Sequence, residues 1–113
     1  MFEWITSWFQ EQPISPELVK SIESAIESNK VLVYSKTYCP YCRATKDLLN
    51  KHQVEYKLVE LNTVPDGSQI QRTLQKISGQ KTVPNIFING KHIGGNSDLQ
   101  ALEQSKKLAQ LLT

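Results

Sequence analysis

Cys39-Pro40-Tyr41-Cys42 contains both cysteines of this 113-residue chain, so its sulfur chemistry is concentrated in four residues. Three readings compete. A structural disulfide across so short a loop restrains little of the unfolded chain, about 2 kcal/mol for roughly four residues before any strain; a bridge for stability would join distant segments. A zinc or cluster half-site is the second reading. Structural zinc usually takes four Cys or His ligands, and the remaining candidates, His52 and His92, stand far apart in sequence. Each of those histidines reads as a solvated or packed residue rather than a ligand. The third reading, a reversible dithiol, is the one the surrounding residues favour.

Those surroundings are a strand followed by a helix. Val31-Leu32-Val33-Tyr34 is a short apolar run of β type, and Ala44, Leu48 and Leu49 after Cys42 have helical spacing, which predicts a strand over 31–35 and a helix over 40–51. Cys39 then sits where unpaired N–H groups and the positive end of the helix dipole stabilise a thiolate, with Lys36 and Arg43 adding charge nearby. Cys42, a turn deeper, lacks most of that help. Upstream, Ser15-Pro16-Glu17 reads as a helix start, with Ser15 as N-cap and Leu18, Val19, Ile22, Ala25 and Ile26 forming one apolar stripe. Glu55 to Leu61 reads as a second strand, parallel to the first with the helix as crossover. Asp66-Gly67-Ser68-Gln69 has the spacing of a capping box, opening a helix with Ile70, Leu74 and Ile77 on one face and Gly79 at its end. Asn89-Gly90 between Asn85-Ile86-Phe87-Ile88 and Lys91-His92-Ile93 is a hairpin signal. After Gly94-Gly95, Asn96 or Ser97 caps a final helical segment carrying Leu99, Leu102, Leu108 and Leu111.

At this length one domain with its own core is expected, covering residues 13–113 after an extension of residues 1–12. In the extension Phe2, Ile5, Trp8 and Phe9 would share one helical face, with Trp4 at its margin; docking on the domain or fraying is the simplest expectation for it. No apolar run approaches the roughly 20 residues of a membrane span. The acidic start Met1-Phe2-Glu3-Trp4 does not resemble a signal peptide, and residues 1–30 carry Glu3, Glu11, Glu17, Glu23 and Glu27 against Lys20 and Lys30, unlike a transit peptide. A reducing compartment, by default the cytoplasm, is expected, with a mitochondrial pool left open. The net charge of +2 gathers after residue 30, which suits an anionic ligand, but no basic run supports nucleic-acid binding.

The element order α-β-α-β-α-β-β-α gives an α/β, thioredoxin-like architecture: a four-stranded mixed sheet flanked by helices. With Lys36-Thr37-Tyr38-Cys39-Pro40-Tyr41-Cys42, Thr82-Val83-Pro84 and Gly94-Gly95-Asn96-Ser97-Asp98, the chain closely resembles the dithiol glutaredoxins over about residues 15–112. Its Cys-Pro-Tyr-Cys differs from the Cys-Gly-Pro-Cys of thioredoxins and the Cys-Gly-Phe-Ser of monothiol, cluster-assembling relatives. The resemblance implies a glutathione-dependent thiol–disulfide oxidoreductase in which Cys39 is the nucleophile and Cys42 the resolving thiol. It implies that Lys36 and Gln71 hold the glycine carboxylate of glutathione and that Ser97 and Asp98 hold its γ-glutamyl end. Thr82 and Val83 would present main chain to the middle of the tripeptide, Tyr41 would border the site, and the bond before Pro84 would be cis. The implied partners are glutathione as co-substrate, glutathionylated proteins and other disulfides, and glutathione reductase indirectly through glutathione. A monomer is expected, with no metal, no nucleic acid and no membrane partner. The rival reading is a glutathione-ligated [2Fe-2S] module shared by two chains through Cys39, against which Pro40 argues by stiffening the adjoining turn.

Overall fold

The apolar run Val31–Ser35 forms strand β1, buried at every residue. In the computed structural model, which describes residues 13–113, the elements follow as α1 (Pro16–Ser28), β1, α2 (Pro40–Lys51), β2 (Lys57–Glu60), α3 (Gly67–Ser78), β3 (Asn85–Ile88), β4 (Lys91–Gly94), α4 (Asn96–Gln104) and α5 (Leu108–Leu112). β1 pairs in parallel with β2 and antiparallel with β3, and β3 pairs antiparallel with β4, giving the order β2-β1-β3-β4. Helix α2 is the crossover that a parallel pair requires. The result is the four-stranded mixed sheet flanked by helices that the element order implies. The reading of residues 1–12 as an amphipathic extension lies outside the described residues.

Because β1 and β3 are covered on both faces, the alternation of their side chains divides the core in two. Val31, Val33, Ile86 and Ile88 meet Leu48 and Leu49 of α2, Leu99 of α4, and Leu108 and Leu112 of α5. On the other face Leu32, Tyr34 and Phe87 meet Ile22 and Ile26 of α1 and Ile70 and Leu74 of α3, with the Tyr34 ring edge-on to Phe87 at 6.3 Å. Each such side chain contributes about 1.5–3 kcal/mol by leaving water. Both clusters clamp β1, whose C-terminal end leads into the loop and helix that carry the cysteines.

Local chemistry sets most boundaries. Ser15 accepts the Leu18 N–H at 3.2 Å and Pro16 occupies the first helical position, as expected. The hairpin turn places Asn89 at φ 54° and Gly90 at φ 78°, the left-handed pair that a two-residue turn needs. Three expectations are corrected. Asp66 makes no capping hydrogen bond, because its φ −106° and ψ 25° lie in the bridge region rather than the extended conformation of an N-cap. The final helix begins after Gly95, not at a cap supplied by Asn96 or Ser97, and the Asp98 carboxylate reaches back to accept the Gly95 N–H at 2.9 Å. That last segment is also two helices rather than one: Lys106 at φ 63° breaks it and turns Leu108 and Leu112 into the core.

Candidate active site

Cys39 stands where β1 gives way to α2. It is the N-cap of α2, with φ −89° and ψ 118°, and its sulfur accepts the Cys42 N–H at 3.4 Å, taking the place that a Ser or Asp oxygen fills in other helices. Pro40 follows at the first helical position, where its missing N–H costs nothing. The loop leading to Cys39 is tied at both ends. Cys39 N–H donates to Lys36 O at 3.1 Å. Thr37 N–H donates to Asn62 Oδ1 at 3.0 Å while Asn62 Nδ2 donates to Thr37 Oγ1 at 2.6 Å. Lys36 itself is half-buried beside this loop and makes no ion pair among the described residues.

The two sulfurs have different environments. Both thiols are free, Cys39 partly exposed and Cys42 fully buried. Burial pushes the Cys42 thiol up, and the adjoining Cys39 adds to the rise, against the opposing pull of Ser35 and the Lys36 backbone. On its open side the Cys39 thiol points to Val83 O at 3.8 Å. The Val83–Pro84 bond is cis, as the resemblance implies. Thr82, Val83, Pro84, Tyr41, Gly95, Asn96 and Ser97 line a groove of about 470 Å³ here, with Tyr41 and Tyr38 standing out into solvent.

Of the residues singled out from the sequence, Cys39, Cys42, Tyr41, Thr82, Val83, Pro84 and Ser97 therefore come together. Asp98 joins at the rim, bonded to Gly95. Gln71 lies outside the groove lining: its Nε2 donates to Lys81 O at 2.7 Å, bordering a shallower depression with Ser68, Arg72, Gln75 and Lys81. Of the histidines, His52 is half-buried and His92 is exposed. His52 Nε2 meets Glu103 Oε1 at 2.7 Å, and His92 lies against the Phe87 ring with its Nε2 at 2.9 Å from Asn85 Oδ1.

Two supporting residues escaped the sequence reading. Gln80 donates from Nε2 to Thr82 O at 3.0 Å and to Pro84 O at 2.8 Å, bracing the main chain that lines the groove. Asn62 clamps the nucleophile loop from beyond β2. Neither belongs to a motif; an amide just upstream of Thr-Val-Pro was the only signal available for Gln80.

The glutaredoxin family model matches residues 31–93, which span β1 to β4 and both cysteines. Glutaredoxin from Ricinus communis is 52% identical over 88 residues, covering 78% of this chain and 86% of the relative. Glutaredoxin-1 from Saccharomyces cerevisiae is 47% identical over 103 residues, covering 88% and 94%. Among solved structures, a buckwheat glutaredoxin–glutathione complex superposes with a TM-score of 0.81 at 38% identity, covering 87% of this chain and 93% of that one. With a capped, partly exposed thiol beside a buried one at the head of α2, and with a family model and relatives that cover most of its length, the chain belongs to the glutaredoxins, thiol–disulfide oxidoreductases.

Proposed function

We propose that this protein reduces mixed disulfides between glutathione and proteins or small thiols, with Cys39 as nucleophile. The Cys39 thiolate attacks the glutathione sulfur, the mixed disulfide breaks, and the target leaves as a thiolate that takes a proton from water. Cys39 is then glutathionylated, and a second glutathione thiolate attacks that adduct, releasing oxidised glutathione and restoring Cys39. For protein disulfides Cys42 resolves instead, closing the Cys39–Cys42 bond. The observation that carries this reading is the placement of the Cys39 sulfur, capped by the Cys42 N–H and 3.8 Å from Val83 O at the edge of the groove.

The groove suits a short peptide with charges at both ends. Lys36, near Cys39, supplies a cation for the glycine carboxylate, and Gln71 would join it by exchanging its bond to Lys81 for one to the ligand. At the other end the N-terminus of α4, with Ser97, receives the second carboxylate, and Asp98 the ammonium. Between them the extended main chain at Thr82 and Val83 pairs with the tripeptide backbone. A relative of this family crystallises as a glutathione complex, which supports the same ligand here.

Turnover of a glutathionylated peptide tests the proposal, with glutathione and glutathione reductase as one recycling system and thioredoxin reductase as the other. Turnover is expected only with the first. Equal or faster turnover with thioredoxin reductase alone would assign the site to a different electron donor.

A further inference from the structure

Of the four consecutive carbonyls at Lys81, Thr82, Val83 and Pro84, side-chain amides hold three. Gln71 Nε2 donates to Lys81 O at 2.7 Å. Gln80 Nε2 donates to Thr82 O at 3.0 Å and to Pro84 O at 2.8 Å, using both hydrogens of one amide. Val83 O is the one left open, and the Cys39 thiol points to it at 3.8 Å. The Val83 N–H has no hydrogen-bond partner among the described residues. Both main-chain groups of Val83 are therefore left for a ligand, while its side chain packs against the face of the core that α1 and α3 cover.

Gln80 reaches this main chain from a fixed base. Gly79, at φ 80°, ends α3 in the left-handed conformation, so Gln80 is the first residue of the loop. Its N–H donates to Ser78 Oγ at 3.2 Å, and its carbonyl accepts a long bond from Asn85 Nδ2 at 3.5 Å. The same Asn85 amide donates to Ser78 Oγ at 3.3 Å, and Asn85 is fully buried, which ties the base to the core. The start of α4 closes on the Gln80 amide from another side: a Cβ built at Gly95 would lie 3.6 Å from Pro84 O and 3.9 Å from Gln80 Nε2. One amide thus stands between the groove wall at Thr82 to Pro84 and the helix start that carries Ser97 and Asp98.

We propose that Gln80 is a positioning residue that sets the preference of this groove for glutathione, an inference that rests on the reading of the groove as the glutathione site. By holding the carbonyls on either side of Val83, its amide keeps the Val83 N–H and C=O available together beside the Cys39 sulfur. The cysteinyl residue of glutathione has an amide on each side and pairs there as its sulfur meets Cys39. A single cysteine in the same disulfide carries an ammonium and a carboxylate at those places and does not pair in that way. Gln71 gives up its bond to Lys81 to meet the ligand, whereas Gln80 keeps both of its own. The reactivity of the Cys39 thiol is set separately, by the Cys42 N–H that caps it.

The test uses one peptide thiol in two mixed disulfides, with glutathione and with cysteine. Single-turnover release of the peptide by excess reduced full-length protein, followed against protein concentration, gives an efficiency for each, and their ratio measures the preference. Gln80→Met, which keeps the length of the side chain and loses both donors, is expected to lower that ratio about tenfold through a higher half-saturating concentration for the glutathione form. Gln80→Glu, which keeps the shape but only accepts, should do the same. The rate of Cys39 alkylation by iodoacetamide, which needs no groove, is expected to keep its parental pH profile in both variants, a readout that general loosening of the site would move. A ratio within about twofold of the parent in both variants overturns the role of Gln80, as does a displaced alkylation profile, which would show the substitution acting through the thiol. Absence of any preference in the parent would overturn the glutathione reading and the role of Gln80 with it, a result told apart from failure of Gln80 alone by the parent's own ratio.

Discussion

Two sulfurs three residues apart differ here by one helical turn of depth, and the difference decides their roles. Cys39 is partly exposed and its sulfur accepts an N–H, whereas burial pushes the Cys42 thiol up. Cys42→Ser is therefore expected to keep deglutathionylation, with a gain where the internal disulfide competes, while Cys39→Ser loses nearly all of it. Trapping with oxidised glutathione and mass analysis should place the adduct on Cys39; an adduct on Cys42 would reverse the assignment. Lys36 provides a second test at this scale. A charge-assisted contact to a carboxylate contributes about 1–3 kcal/mol, so Lys36→Ala should raise the KM for glutathione by roughly 5–150-fold, more at low than at moderate salt. Unchanged kinetics across that salt range would remove Lys36 from the site.

Elements meet at points that a substitution can probe. Gly67 begins α3 against the end of β2: a Cβ built there would lie 1.7 Å from Leu61 O, and backbone cannot step aside as a side chain can. Gly67→Ala should cost about 1–3 kcal/mol or more by overpacking, read as a lower urea midpoint, and an unchanged midpoint would mean that α3 shifts freely on the sheet. The Lys46–Glu60 pair joins α2 to β2. Since the Glu60 pKa is lowered in the fold, its contribution is fully present above the unfolded value of about 4.3 and is lost as pH falls through the lower folded value. Unfolding free energy in Lys46→Met should thus fall less steeply than in the parent below about pH 4.5, and identical slopes would show that the pair does not couple to folding.

The whole molecule is a clamp on β1, and that strand needs nothing from residues 1–12 to be covered on both faces by α1 to α5. Deletion of residues 1–12 is expected to leave turnover within about twofold, since segments outside a core are usually dispensable. Both tryptophans, Trp4 and Trp8, fall in that segment, so the truncated protein would also be free of indole emission. A large loss of activity in a folded truncation, judged by circular dichroism, would give the segment a functional part.

Local rules carried much of this protein. Ser15-Pro16, Asn89-Gly90 and Gly79 act within a few residues of themselves, so a cap, a turn and a left-handed helix end were legible from the chain alone. The Cys-Pro-Tyr-Cys window and its flanking strand and helix were legible for the same reason, and the motif set at 36–42, 82–84 and 94–98 carried the family. Other features depend on what lies across space. Asp66 satisfies the capping pattern but sits in the wrong backbone region, and the break at Lys106 appears only because Leu108 and Leu112 are drawn back under Leu99. The clamp of Asn62 on Thr37, the brace of Gln80 under Thr82 and Pro84, and the Lys46–Glu60 pair join residues from separate elements. A hydrogen bond or a buried oxygen has no periodicity to betray it; only strand register and helix packing bring its partner within reach.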